Sequence, residues 1–271
     1  MNCKICQSTT TKLFEKVILN KYNTTYHKCT SCDFMQTDEP VWIEEAYSNV
    51  ITSTDIGLLS RNIYLVKETK IIIDSCFPQA KLMLDYAGGY GVYVRLMRDE
   101  GYNFYRQDVY CENIFAKTFD VEDIKEKKFD IVTAFEVLEH FVNPLDEIGK
   151  VLAFSETAIF STVLIPQDDT DLSNWWYLAT ETGQHVAFYS EKSMQYIAKK
   201  FSKNYYCRNG NLHVFTSIKL SAAQLEEGFT IKKVSFLQRV SNKLLNTNTS
   251  NRRASLLESD YDAIKKSLNK L

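Results

Sequence analysis

Two pairs of cysteines stand near the start of the chain, in Cys3-Lys4-Ile5-Cys6 and Cys29-Thr30-Ser31-Cys32. A Cys-x-x-Cys turn presents two thiols to one side, and two such turns can surround one ion. Four thiolates complete a tetrahedral zinc shell and leave no open position, so the predicted ion is structural and does no chemistry. Its binding energy would fold a segment that has little core of its own. His27 lies nearby, but Cys3, Cys6, Cys29 and Cys32 already fill the shell. Cys76, Cys111 and Cys207 show no pairing pattern and read as buried fillers.

A second constellation is built on glycine. The stretch from Leu84 to Gly91 leads an apolar strand through Asp85 into Gly88, Gly89 and Gly91, and a helical pattern follows. Glycine tolerates positive φ and lets another molecule touch the main chain. The helix behind it offers free N–H groups and the positive end of its dipole. Asp108 ends the next strand, where a carboxylate accepts bonds from ribose hydroxyls. A dinucleotide fingerprint needs Gly-x-Gly-x-x-Gly, and no such spacing occurs here.

These residues need a frame, and the pattern supplies one. Residues 1–40 are cysteine-bearing and strand-like, and residues 41–78 are helical up to Pro78. From 79 to 220, apolar strands alternate with helices, and a hairpin closes the run at Asn209-Gly210. That alternation predicts a parallel α/β sheet with an antiparallel end. Residues 221–271 read as a tail of two amphipathic helices, the first carrying Ile231, Val234, Leu237, Val240 and Leu244 on one face. Such faces pack on the parent domain, or form a homodimer or membrane-surface contact.

The segment Asp85-Tyr86-Ala87-Gly88-Gly89-Tyr90-Gly91, with the later "FDIVTAFEVLEHFVNP", resembles the class I S-adenosylmethionine-dependent methyltransferases. Ala87 stands where that family usually has its first glycine. The resemblance covers roughly Leu82 to Ser217. It implies a Rossmann-like seven-stranded sheet with an antiparallel last strand. It implies that Asp85 and Gly89 approach the methionine end of S-adenosylmethionine, with Ala87 and Gly88 in the same loop. Asp108 would hold the ribose, Phe119 and Asp120 would flank adenine, and Glu136 would sit beside the cofactor. With the zinc knuckle in front, the chain is similar to methyltransferases of sugar and surface-polysaccharide pathways. Ribosomal or transfer RNA methyltransferases with a zinc knuckle are one alternative, and a non-catalytic cofactor-binding module is another.

Formal net charge is -2 over 271 residues, which leaves no global basic field for a nucleic-acid backbone. The N-terminus has no secretory leader and no apolar run is long enough to span a bilayer, so a cytoplasmic location is expected. The aromatic insertion from Asp168 to Ser190 lies at the carboxyl edge of the sheet, where ligands bind in open α/β folds. Trp175, Trp176 and Tyr177 can stack on a sugar face, with at least one tryptophan expected as an anchor. Its "WWY…GQH…FYS" pattern also looks like a segment of glycan-cluster methyltransferases. Arg61 can bind an acceptor phosphate. A neutral imidazole suits removal of the acceptor proton. His185, inside the insertion, is the first candidate, with His140 and Tyr189 behind it.

Overall fold

The computed structural model describes residues 1–48, 55–167, 171–230 and 253–268. The N-terminal strands are β1 (Thr10–Ile18), β2 (Tyr22–Cys29) and β3 (Met35–Thr37). Two helices follow, α1 (Ile43–Ala46) and α2 (Leu58–Cys76). The alternating part contains β4 (Met83–Tyr86), α3 (Val92–Asp99), β5 (Phe104–Gln107), β6 (Ile131–Phe135), α4 (Pro144–Leu152) and β7 (Thr157–Ser161). It continues through β8 (Ala187–Phe188), α5 (Glu191–Lys200), β9 (Asn204–Arg208) and β10 (Leu212–Thr216). Two more helices complete the chain, α6 (Ala222–Phe229) and α7 (Leu257–Leu268).

The central sheet has the order β5-β4-β6-β7-β10-β9. Strands β5, β4, β6 and β7 are parallel, and β10 runs antiparallel to both β7 and β9. This is the mixed α/β frame with a reversed last strand. Asn209 and Gly210, both at positive φ, turn the β9–β10 hairpin as their types require. The predicted seventh strand is replaced by a single parallel bridge between Arg106 and Asp120, so the sheet has six strands among the described residues. After that bridge the chain turns at once into a 3-10 turn, Val121–Asp123, closed by a capping box at Asp120.

Both sheet faces are covered, and successive residues of one strand serve opposite cores. In β7, Ala158 and Phe160 join Ile148, Val151 and Ile197 of the α4–α5 layer, while Ile159 joins Ile72, Val94 and Met97 of the α2–α3 layer. That two-sided burial explains why β6 and β7 carry apolar residues on both faces and no charged residue. Along α2, Val66 and Ile73 reach this core, but Leu59 and Ile63 of the predicted stripe are exposed.

The N-terminal strands are joined to the rest of the molecule. They form a second sheet of order β1-β2-β3-β8, whose last strand comes from the insertion. Met35 pairs with Phe188 and Gln36 with Ala187. In the tail, α7 docks through buried Asp260, which receives Arg98 Nε at 2.8 Å and Nη2 at 2.7 Å. The apolar face from Ile231 to Leu244, and any homodimer contact through it, lies outside the described residues. No helix among the described residues is long and apolar enough to cross a membrane.

Candidate active site and metal centre

A cavity of about 630 Å³ opens over the glycine knot at the carboxyl ends of β4 and β6. It is within the size range of small-molecule and cofactor sites. Its floor is the turn from β4 into α3. Ala87, Gly89 and Gly91 have φ of 54°, 54° and 84°. Ala87 therefore adopts the left-handed conformation without being glycine, at a cost of about 1–2 kcal/mol. Gly88 is forced by contact instead. A Cβ there would lie 2.7 Å from Asp85 Oδ2 and 2.8 Å from Arg106 Cγ.

Asp85 is 3% exposed and accepts from Thr133 Oγ1 at 2.7 Å. Burial pushes its carboxyl up to about 7. A cationic amino group beside it, such as that of a methionine moiety, would hold it ionised. Asp108 lines the cavity but is also a structural tie. Its Oδ2 accepts from Gly89 N at 2.9 Å, and its Oδ1 accepts from Tyr110 N and Cys111 N, each at 2.8 Å. Asp108→Ala should therefore lower affinity for S-adenosylhomocysteine at least about tenfold, since bonds to a charged group contribute roughly 1.5–3 kcal/mol each. It should also speed amide exchange at Gly89, Tyr110 and Cys111. Unaltered calorimetric affinity together with unaltered exchange would reject this assignment.

Two expected cofactor contacts are displaced. Phe119 is 7% exposed and lies beneath the Arg98 guanidinium, 3.7 Å from the ring centre. Asp120 accepts from Arg106 Nε at 2.7 Å and from Asn113 Nδ2 at 3.1 Å. Neither lines the cavity. With the outer strand cut to one bridge, the chain turns away before reaching the site, and Tyr110 and Cys111 line this part of the cavity instead. Arg106, which the sequence reading missed, binds the knot to its surroundings. It donates to Cys111 O at 2.9 Å and to Gly89 O, besides pairing with Asp120. The available signal was an arginine in a strand of otherwise core-forming residues.

Glu136 follows β6 at φ 52°. Its N–H donates to Ser161 Oγ at 2.8 Å, and the Ser161 hydroxyl donates back to Oε1 at 2.6 Å. Arg61 Nε stands 3.6 Å from Oε2 while Arg61 Nη2 holds Asp55 at 2.8 Å. Burial, with the Glu139 carboxylate next, pushes Glu136 up to about 7. Glu139, His140, His185, Trp176 and Tyr177 line the same cavity. His185 Nδ1 lies 2.7 Å from Tyr177 O. A carbonyl only accepts, so Nδ1 carries the proton and Nε2 the lone pair. Burial pulls His140 down to about 3, which keeps it neutral.

The tryptophans separate as expected of one anchor and one wall residue. Trp175 is 7% exposed, packs on Phe188 and does not line the cavity, whereas Trp176 is 74% exposed and does. Tyr177 is buried, with its hydroxyl 3.1 Å from Thr162 Oγ1. Tyr189 is removed from the catalytic candidates. It is wholly buried, and its hydroxyl donates to Leu138 O at 2.9 Å.

The four N-terminal cysteines converge. Their Sγ atoms all lie within 4.8 Å of one another, with Cys3–Cys32 at 3.6 Å and Cys6–Cys29 at 3.3 Å. Zinc–sulfur bonds of about 2.3 Å in a tetrahedron place sulfurs about 3.8 Å apart. Backbone N–H groups of Ile5, Ser31 and Cys32 point at sulfur from 3.4 Å. The residue after each pair, Gln7 and Asp33, has positive φ. The group can hold a metal ion, and its donors suit zinc. His27 bonds Asp38 at 2.8 Å and takes no part.

A family model described as a methyltransferase domain matches residues 69–202. The chain is similar in structure to TnmH, with 12% identity and TM-score 0.47 over 66% of this chain and 62% of that one. It is similar to a magnesium protoporphyrin IX methyltransferase from Synechocystis PCC 6803, with 11% identity and TM-score 0.40 over 65% and 95%. The O-methyltransferase NcsB1 from neocarzinostatin biosynthesis gives 10% identity and TM-score 0.44 over 65% and 61%. The chain thus spans about six tenths of the length of the first of these structures. No curated protein matches it. Over those residues, just under half of the chain, the sequence is similar to that methyltransferase domain.

Proposed function

We propose that the protein transfers a methyl group from S-adenosylmethionine to a hydroxyl of a sugar, nucleotide sugar or related glycan precursor, with a structural zinc ion on Cys3, Cys6, Cys29 and Cys32. The observation that carries this reading is Glu136, a carboxyl raised to about 7 in one cavity with the glycine cradle and with Trp176, Tyr177 and His185. Trp176 offers an exposed ring for a sugar face, and Asn62, Asn211 and Thr182 add neutral polar groups to the lining. The formal net charge of -2 gives no support to an RNA acceptor.

When bound, S-adenosylmethionine would supply an electrophilic sulfonium methyl, the pair of the broken C–S bond staying on sulfur while the acceptor oxygen provides the pair of the new bond. Asp85, Gly88, Gly89 and Asp108 are assigned to cofactor binding. Glu136 takes the proton from the acceptor oxygen as that oxygen bonds the methyl carbon. Sequence reasoning assigned this part to His185. We move it to Glu136, which follows β6, the strand paired directly with β4 that leads into the cradle. Alignment of the two reactants supplies most of the rate.

Glu136→Gln should lower turnover about a hundredfold while cofactor affinity stays intact. In the parent, kcat/KM should fall as pH drops below about 7, because protonated Glu136 cannot accept a proton. Glu139, Arg61 and His185 are the charged or titratable groups that act on it. The acidic limb should vanish in the variant. A screen of nucleotide sugars and sugar phosphates with both chains checks this. A variant of full activity removes Glu136 from the reaction, and no turnover of any sugar by the parent removes the acceptor class.

A further inference from the structure

We propose that Glu139, His140 and His185 hold one divalent transition-metal cation on the acceptor wall, separate from the thiolate site. One ligand atom from each of the three lies within 4.8 Å of the other two. The rings of His140 and His185 meet edge-on with centres 5.0 Å apart. Within these residues Glu139 Oε2 and His140 Nδ1 are buried and make no hydrogen bond among the described residues, while the Gln184 backbone lies beside the His140 ring. Glu139 is 1% exposed, and a buried carboxylate with an unpaired oxygen is costly unless a proton or a cation meets it. All three residues line the cavity.

The fold brings these donors together. Glu139 and His140 come from the 3-10 turn Leu138–His140, and His185 from the insertion. Val186 N donates to Glu139 O at 2.8 Å and fixes the two segments in register. Tyr177 O accepts the Nδ1 proton of His185, which leaves the lone pair of Nε2 available to a metal. Metal-bound histidines are ordinarily oriented in this way by an outer carbonyl.

Two imidazoles and one carboxylate form a borderline donor set. It suits Mn, Fe, Co, Ni or Zn better than Mg or Ca, and it leaves coordination positions open on the cavity side. An acceptor with adjacent oxygens can fill them, so the cation would polarise the hydroxyl whose proton passes to Glu136. That part in transfer rests on the proposed function; binding of the cation does not.

The test is a titration of Mn2+ into the full chain as purified, with the thiolate site left loaded. Free Mn2+ is read by electron paramagnetic resonance. One ion per chain is expected, with its dissociation constant raised more than about tenfold in His185→Ala and in Glu139→Gln. Retained binding of S-adenosylhomocysteine reports an intact fold. If the buried Glu139 substitution loses that binding, His185→Ala on the open wall decides alone. Absence of saturable Mn2+ binding overturns the proposal, and so does binding that survives the His185 substitution. A chain that binds Mn2+ but methylates no sugar keeps the metal site and loses the acceptor reading. A chain that methylates sugars without binding Mn2+ does the reverse.

Discussion

Cys29→Ser should abolish stoichiometric zinc in the purified protein and unfold the N-terminal sheet well below the melting temperature of the parent. Cys29 Sγ is 3.3 Å from Cys6 Sγ and receives the N–H groups of Ser31 and Cys32 at 3.4 Å, so it is an inner member of the cluster. Structural zinc sites of this type bind with about 10–16 kcal/mol of apparent free energy, which doubles as folding energy. The damage should reach the cavity. Ser190 Oγ donates to Cys32 O at 2.6 Å, Trp42 Nε1 to Gly183 O at 2.8 Å, and Thr37 N to Val186 O at 3.2 Å. These bonds, with the β3–β8 pairing, hold the insertion that carries His185. Acceptor KM should therefore rise more than affinity for S-adenosylhomocysteine falls. Elemental analysis, thermal unfolding and calorimetry measure the three quantities. A metal-free variant with the parent's melting temperature would show that the four thiols are not a folding centre.

Gly88→Ala should reduce affinity for S-adenosylhomocysteine by about ten- to a hundredfold and lower stability as well. The added methyl would meet Asp85 Oδ2 at 2.7 Å and Arg106 Cγ at 2.8 Å. Neither neighbour can swing clear. Asp85 is 3% and Arg106 4% exposed, and Arg106 is held by Asp120 and Cys111. The knot must then shift, and overpacking of this kind costs about 1–3 kcal/mol. Each 1.4 kcal/mol that falls on the bound form is about tenfold in affinity. Ala87→Gly is the contrasting change, since a glycine there would relieve a left-handed alanine. Calorimetry on both variants separates the contact at Gly88 from the backbone conformation at Ala87. Affinity of Gly88→Ala within twofold of the parent would mean that the loop does not need the close approach.

Local chemistry was legible in the chain itself. Cys-x-x-Cys spacing confines two thiols to one turn whatever surrounds them, so the four thiols that converge could be named without coordinates. The strand of buried residues, the acid at its end and the glycines beyond it likewise announced the cradle, because φ and close contact restrict residue type locally. The same holds for Asn209-Gly210 and the hairpin. What required the tertiary structure were pairings between distant segments. Nothing in the insertion says that Ala187 and Phe188 complete the N-terminal sheet, since two residues carry too little pattern to choose a partner strand. Phe119 and Asp120 do not line the cavity, because strand length at a sheet edge depends on neighbours. There Arg106 and Arg98 claim both side chains. Glu139 and His140 sit in a signature whose spacing fits a solvated loop equally well. Bonds between distant segments, Val186 N to Glu139 O and Tyr189 Oη to Leu138 O, bring His185 against them, and burial leaves Glu139 Oε2 and His140 Nδ1 without hydrogen bonds among the described residues.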